Sequence, residues 1–168
     1  MNPIPWIPSA NMPVRAVMLL PGQPFTDQTG PHGQGWQIVT GVLRLDGPDD
    51  PRPVVLAQPG DLIGVAEAMG VPRPSLLRAL VGCRLAPLPR PDGDAERHAR
   101  LSTLVLQQWR QTLDMARLRN GSVPERVKQL LLLLTRAHPQ GELHLPRLRD
   151  LAATVDSTPE SVSRVIAN

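Results

Sequence analysis

The chain has 168 residues and a formal net charge of +3, and its 20 prolines and 13 glycines argue against an all-helical protein. One Phe, three Trp and no Tyr leave few rings for stacking on single-stranded bases. The single cysteine, Cys83, excludes an internal disulfide and fits a reducing cytoplasm. Neither a secretory signal nor an apolar run of membrane-spanning length is present. We therefore expect a cytoplasmic chain of one or two small domains with no membrane segment.

Residues 1–12 hold three prolines and Trp6, and they predict an irregular arm. From Val14 to about Arg90 the pattern is a series of short apolar runs separated by Gly and Pro turns. This pattern is typical of a small antiparallel β-barrel or jelly roll. The predicted strands cover residues 16–20, 36–39, 42–45, 54–57, 62–65, 76–77, 79–80 and 84–86.

The composition changes at residues 89–93, and a long helix is predicted from 94 to 120. Its apolar residues span roughly 240° of a helical wheel, which is far wider than one interface needs. We therefore expect one side to pack on the barrel and the other on the same helix of a second copy, with Leu104 and Met115 facing that copy. The alternative is a central helix buried within one monomer. The residues assigned to dimerisation are Leu101, Leu104, Gln108, Met115 and Leu118.

A second helix is predicted after Asn120, with Val127, Leu130, Leu131 and Leu134 on its core side. Residues 138–141 break this helix, and 142–145 form a short extended link.

Residues 148–166 read as two short helices with a break between them, because apolar residues recur at helical spacing on both sides of the break. Ser157 or Thr158 can cap the second helix, and Pro159 suits its first position. Asp156 tolerates a left-handed turn. This pattern predicts a helix-turn-helix whose second helix is shaped to enter a DNA major groove, and the alternative is a corner that only packs.

Two features of this segment count against DNA binding. Residues 139–168 carry three arginines and four acidic residues, whereas phosphate binding favours a basic surface. No strands follow the second helix before Asn168, so the supporting wing is expected to be incomplete, whether the chain naturally stops there or is truncated.

The order of barrel, long helix, short helix, link and helix-turn-helix resembles the CRP/FNR family of bacterial transcription regulators. The stretches 35–45 (GWQIVTGVLRL), 58–65 (QPGDLIGV) and the terminal motif carry the resemblance. It implies an α+β chain with a cyclic-nucleotide-binding-like barrel over 1–93, a dimerisation helix over 94–120 and a DNA-binding domain over 121–168. It further implies a homodimer that binds double-stranded DNA and contacts RNA polymerase.

The resemblance also assigns roles to individual residues of the DNA-binding domain. Glu160 and Arg164 match positions that contact bases in family members, whereas Pro159 replaces an Arg often found there. Arg147 and Arg149 precede the first helix and are expected to contact phosphate. The residues assigned to DNA binding are Thr158, Glu160, Ser161, Arg164, Arg147 and Arg149.

The effector turn departs from the cyclic-nucleotide type, because Gly64 is followed by Val65 where the ribose-binding Glu is expected. This argues against cyclic AMP and cyclic GMP. The turn looks more like that of the 2-oxoglutarate-sensing nitrogen regulators of cyanobacteria (the NtcA branch), in which an Arg near Arg73 holds the dicarboxylate. Arg110 and Asp114 are the candidates from the long helix, although an exposed i,i+4 pair is the interpretation we favour for them.

The remaining alternatives fail on ligands or on motifs. One cysteine cannot hold an iron–sulfur cluster, and Cys83 is expected to be a small buried residue of a strand. The four histidines show no metal-ligand spacing, and no catalytic motif is present, so an enzyme is not expected. The leading interpretation is an effector-responsive homodimeric regulator of transcription without a permanent cofactor. The alternative is a dimeric sensor or antagonist that keeps the architecture but does not bind DNA.

Overall fold

In the computed structural model, residues 16–26, 30, 32–47, 52–68, 70–71, 76–138 and 145–167 are described. The predicted N-terminal arm, the link at 142–144 and Arg73 fall outside these ranges. The strands are β1 (Val17–Leu19), β2 (Pro24–Phe25), β3 (Trp36–Thr40), β4 (Leu43–Asp46), β5 (Pro53–Ala57), β6 (Leu62–Ile63), β7 (Leu77–Ala79) and β8 (Cys83–Pro87). The helices are α1 (Val65–Ala68), α2 (Gly93–Arg119), α3 (Val123–Ala137), α4 (Leu148–Thr154) and α5 (Pro159–Ala167).

The eight strands form two four-stranded antiparallel sheets, with the orders β1-β8-β3-β6 and β2-β7-β4-β5. The antiparallel fold is confirmed, but the barrel is not closed, and the sheets face each other as an open sandwich. Their facing side chains share one core, in which Phe25 packs edge-on against Trp36 with the ring centroids 5.7 Å apart. Cys83 is buried in the same core.

The predicted strand over 62–65 ends earlier than expected. Gly64 adopts a left-handed φ of 75°, which turns the chain so that Val65 begins α1 instead of continuing β6. Gly35 lies against this turn, and a Cβ at that position would meet the Ile63 carbonyl oxygen at 2.3 Å. The path of the chain at this turn therefore depends on Gly35 as well as on Gly64.

A second core lies on the outer side of the β2-β7-β4-β5 sheet. The end of α2, together with α3, α4 and α5, packs there against Leu56 and residues flanking the sheet. Leu130, Leu134 and Val155 are among its fully buried side chains. This sheet is therefore covered on both faces, and the C-terminal helices share a hydrophobic core with the sandwich.

Helix α3 is fixed at both of its ends. At its start, the Ser122 backbone N–H donates to the Glu125 carboxylate at 2.8 Å and the Ser122 side chain accepts from the Glu125 backbone N–H, which together form a capping box. At its end, the Ala137 carbonyl accepts from the Gly41 N–H at 3.2 Å. Through this bond α3 abuts the backbone of the sandwich directly, at a turn where a side chain on Gly41 would collide with the Gly82 carbonyl. In the part of the chain that the structure describes, no helix is long and apolar enough to cross a membrane.

Candidate functional site

Helices α4 and α5 are joined by a tight turn, and they lie where the sequence predicts two helices. Asp156 has a φ of 50°, the left-handed conformation that Asp adopts more readily than most residues. The Thr158 hydroxyl accepts from the Ser161 backbone N–H at 3.3 Å, and Pro159 is the first residue of α5. Of the two candidate caps, the structure therefore selects Thr158.

The turn is also held from α3 by a residue that the sequence analysis did not single out. Arg126 donates from Nη1 to the Val155 carbonyl and, at 3.0 Å, to the Asp156 carbonyl. These carbonyls follow the last turn of α4, where intrahelical donors are missing. Arg126 thereby fixes the angle at which α5 leaves the turn.

Helix α5 presents a packed side and an exposed side. Val162 is fully buried and Val165 packs partly against the same core, whereas Thr158, Glu160 and Arg164 are exposed. The pKa of Glu160 lies below its usual range because the residue's own N–H and the Thr158 hydroxyl hydrogen-bond to its carboxylate, and Arg164 adds a favourable charge. The structure thus brings the predicted base-contacting residues together on the exposed part of one helix.

Arg147 and Arg149 are also exposed, next to and within the first turn of α4. In the same segment, two of the acidic residues are engaged by arginines of the sandwich. Asp150 accepts from Arg44 Nη1 at 3.1 Å, and Asp156 accepts from Arg52 Nη1 at 3.2 Å. The charge counted along the segment is therefore not its local balance, because the sandwich adds Arg52 and also Arg44, which Asp150 shares with Asp46.

A cavity of about 300 Å³ lies between the sandwich and α2. Gly64 and Val65, which were assigned to effector binding, line it, and so do Leu104 and Gln108, which were assigned to the dimer interface. The described lining carries no charged side chain and consists of apolar groups and three glutamines. It is formed by Leu45, Val55, Ala57, Leu62, Ile63, Gly64, Val65, Ala66, Leu77, Leu104, Gln107, Gln108 and Gln111.

Arg110 and Asp114 do not line this cavity and are not the exposed i,i+4 pair that we favoured. Arg110 Nη2 lies 2.5 Å from both carboxylate oxygens of Asp61, and Asp114 accepts from Gln58 Nε2 at 2.7 Å. The contact between Arg110 and Asp114 themselves is long, at 3.9 Å. Both residues tie α2 to the turn at 58–61, and their assignment to effector binding stays a prediction.

The same turn is held by two further residues of α2. Gln107 accepts from the Leu62 N–H at 2.9 Å and donates to the Leu62 carbonyl at 3.0 Å, while Gln111 donates to Asp61 at 3.1 Å. Burial raises the pKa of Asp61 above its ordinary value, against the opposing effects of Arg110 and of the hydrogen bonds from Gln58 and Gln111. These hydrogen bonds and the Arg110–Asp61 ion pair attach the 58–61 turn and the start of β6 to α2.

Helix α2 is apolar on two sides, but the sides are not the ones that we assigned. Met115 and Leu118 are 6% and 1% exposed and belong to the core, so neither is available to a partner, and the half-buried Leu104 lines the cavity. The opposite side carries an exposed apolar stripe, of which Leu101 alone was assigned to dimerisation. The stripe consists of Leu101 (51% exposed), Val105 (69%), Leu106 (69%), Trp109 (65%) and Leu113 (39%).

Neither metal-binding nor thiol chemistry is indicated in the part of the chain that the structure describes. No group of three or more His, Cys, Asp or Glu residues there is arranged to hold a metal ion. Cys83 is buried, and burial raises its pKa to about 12 while its Sγ lies 3.1 Å from the Val81 carbonyl oxygen. The thiol is therefore protonated and shielded, as expected for a small core residue.

Solved structures with a similar fold include transcriptional regulators of the CRP/FNR family. One such regulator from Thermus thermophilus is 22% identical, with a TM-score of 0.64, over 91% of this chain and 84% of its own. A CRP-family regulator from the same organism is 19% identical, with a TM-score of 0.68, over 90% and 82% of the two chains. FixK2 from Bradyrhizobium japonicum is 18% identical, with a TM-score of 0.65, over 93% and 84%. No protein-family model and no curated protein matches the sequence.

Proposed function

We propose that this chain is a homodimeric, effector-responsive regulator of transcription of CRP/FNR type that binds double-stranded DNA. The observation that carries the proposal is the arrangement of α4, the turn and α5. One side of α5 is anchored through buried Val162, and the other side exposes Thr158, Glu160 and Arg164. A helix held in this way can enter a major groove, as the second helix of a helix-turn-helix does.

The exposed side chains have the chemistry needed to read bases. Arg164 can donate two hydrogen bonds to guanine, and Glu160 can accept from the amino group of cytosine. Arg147 and Arg149 are placed to contact phosphates, which supply affinity but not sequence preference. Because Arg44 and Arg52 pair with Asp150 and Asp156, these carboxylates repel the DNA backbone less than their number suggests.

Dimerisation in this proposal uses the apolar stripe of α2. The stripe lies opposite the side of the helix that packs on the sandwich, and Trp109 stands near its middle. An exposed apolar surface of this kind on a structured helix is typical of a protein–protein interface. Pairing of two copies along α2 would bring two α5 helices to one DNA duplex, and contact with RNA polymerase belongs to the same proposal.

The proposed effector is a small dicarboxylate such as 2-oxoglutarate, which would bind in the cavity beside Gly64 and Val65. This part of the proposal extends the likeness of the turn to the nitrogen-regulator branch. A dianion requires a cation, and since Arg110 is engaged by Asp61, Arg73 would have to supply the guanidinium. Cyclic nucleotides are not proposed, because Val65 offers no carboxylate to the ribose hydroxyls.

The alternative function is a dimeric sensor or antagonist that does not bind DNA. It is favoured by the charge of residues 145–167, in which three arginines are matched by three acidic residues. Such a protein would use the cavity and the stripe but would have no use for an exposed Arg164.

One experiment separates the two functions. Purified protein is mixed with fragmented genomic DNA, retained fragments are sequenced, and the affinity for an enriched fragment and for a random fragment is measured at several salt concentrations. A regulator should enrich discrete fragments, and Arg164→Ala should reduce the affinity for them. Arg147→Ala should flatten the salt dependence for both DNAs, because phosphate contacts govern it. Enrichment of no fragment at any salt concentration would favour the sensor.

A further inference from the structure

Strands β4 and β5 form a wall between the cavity and the C-terminal helices. Successive residues of a strand point to opposite faces of its sheet. On one face, Leu45 and Val55 line the cavity. On the other face, Leu56 belongs to the core that contains α3, α4 and α5, and its cross-strand neighbour Arg44 bonds to α4. The two strands therefore touch both parts of the molecule through alternate residues.

Arg44 makes a polar connection between this wall and α4. The residue is 4% exposed, and its guanidinium bonds to Asp46 at 2.6 Å and to Asp150 of α4 at 3.1 Å. A buried charge is costly unless its partners are in place. A displacement of α4 relative to β4 would separate Arg44 from Asp150, so the position of α4 is coupled to that of the strand.

A second connection joins the start of β5 to the turn between α4 and α5. Arg52, immediately before β5, bonds to the Asp156 carboxylate at 3.2 Å, and the two side chains are 53% and 46% exposed. The next residue, Pro53, accepts a hydrogen bond from Arg119 at the end of α2. An exposed ion pair contributes little to stability, but this one acts on the residue whose left-handed conformation sets the direction of α5.

We infer that Arg44 is a positioning residue for the α4–α5 unit (residues 148–167), and that the β4–β5 wall transmits the state of the cavity to this unit within a single chain. A side chain or ligand that displaces Val55 or Leu45 moves the strands that carry Arg44 and Arg52, and these move Asp150 and Asp156. The inference rests on the proposed function only for its effect on DNA, because the transmitted movement can be measured without DNA.

The movement is measured as the distance between two spin labels, one on Met18→Cys in β1 and one on Ser163→Cys in α5, both exposed positions. The native Cys83 does not compete for the label, because burial raises its pKa to about 12. Labelled chains are diluted with unlabelled chains so that each distance is measured within one chain. Val55→Phe, which enlarges a side chain that lines the cavity, should shift the distance distribution.

The doubly substituted variant Arg52→Gln/Asp150→Ala removes the ion pairs Arg44–Asp150 and Arg52–Asp156 and so tests whether they transmit the movement. In this background, Val55→Phe should no longer shift the distance. The matched control is Asp94→Ala, which also removes an acidic residue from the first turn of a helix but has no contact with the wall. The shift caused by Val55→Phe should persist in the Asp94→Ala background. A shift that survives in full in the doubly substituted link background would overturn the inference.

Two further variants guard against a trivial loss of folding. If Val55→Phe unfolds at a lower temperature than the wild-type protein, Leu45→Phe is used in its place. If Asp150→Ala does so, Asp150→Asn is used. For DNA, Val55→Phe should change the affinity for an enriched fragment by about fivefold or more in the intact background, as expected for coupled sites, and should have no effect without the links. If the protein binds no DNA, the proposed function is wrong, but the distance measurement still shows whether the β4–β5 wall transmits movement to the α4–α5 unit.

Discussion

The substitution Trp109→Ala should convert the proposed dimer to a monomer at micromolar concentration. Trp109 is 65% exposed near the middle of the apolar stripe, and no other change on α2 removes as much exposed apolar surface from a single position. The prediction replaces an assignment to Leu104 and Met115, because Met115 is buried and Leu104 faces the cavity. Substituting Met115 would damage the core before it affected an interface.

The size of the effect follows from the exposed area. A large aromatic side chain buries up to about 250 Å², so the exposed two-thirds of Trp109 offers about 160 Å². At about 25 cal/mol per Å², this area is worth at most about 4 kcal/mol for each copy. Half of that value remains after the area that alanine retains and imperfect burial are allowed for. The two copies together then lose about 4 kcal/mol of the free energy of dimerisation, and the dissociation constant should rise by a factor of about 100 to 1,000.

Sedimentation velocity over a wide range of concentrations measures this dissociation constant. Met18→Ala is the matched control, because Met18 is 68% exposed but lies on β1, away from the stripe. The control should sediment as the wild-type protein does. If Trp109→Ala leaves the dissociation constant within about threefold of the wild-type value, the stripe is not the dimer interface.

Four other outcomes are expected. Arg164→Ala should weaken binding to an enriched DNA fragment by about tenfold or more while changing the affinity for random DNA much less; an equal loss for both would show that α5 does not read sequence. Calorimetric titration with cyclic AMP should give no saturable heat, and any 2-oxoglutarate binding should disappear in Arg73→Ala. Leu134→Ala, at a fully buried position, should lower the free energy of unfolding by about 2–5 kcal/mol in urea denaturation. Because burial raises the pKa of Asp61 above 3.8, protonation favours the folded state; this stabilisation is complete below 3.8 and is lost as the pH rises through the raised value. The stability of the wild-type protein relative to Asp61→Asn should therefore fall as the pH rises from below 3.8 through the raised pKa of Asp61, and a difference that stays constant with pH would contradict the assignment.

Much of the α4–α5 unit could be predicted because its signals are local. The left-handed turn, the cap and the first helical proline occupy consecutive residues, and each acts through its own backbone conformation or through a neighbour within three positions. The role of Arg126 could not be predicted, for the opposite reason. Its contacts with Val155 and Asp156 span 29 and 30 residues, and an arginine in a helix carries no sequence signal of its long-range partner.

The long helix shows a second limit of prediction from sequence. The wide apolar arc correctly indicated a helix with two apolar sides, but the wheel could not decide which edge packs on the chain's own sandwich. Met115 and Leu118 were assigned to a partner, and only the fold shows that they complete the core with α3. The pattern that indicated a barrel or jelly roll could not decide for a similar reason whether the sheets close, since the spacing of strands does not reveal where hydrogen bonding between the two sheets stops.

The two-sided use of β5 also restricts how this protein can change over evolutionary time. Val55 and Ala57 serve the cavity, while Leu56 between them serves the helices. Deleting one residue within Pro53–Ala57 would exchange these roles, since a shift of one position turns every following side chain to the opposite face. Lineages can therefore vary this strand by replacing side chains, but changes of length should be confined to the turns that connect it.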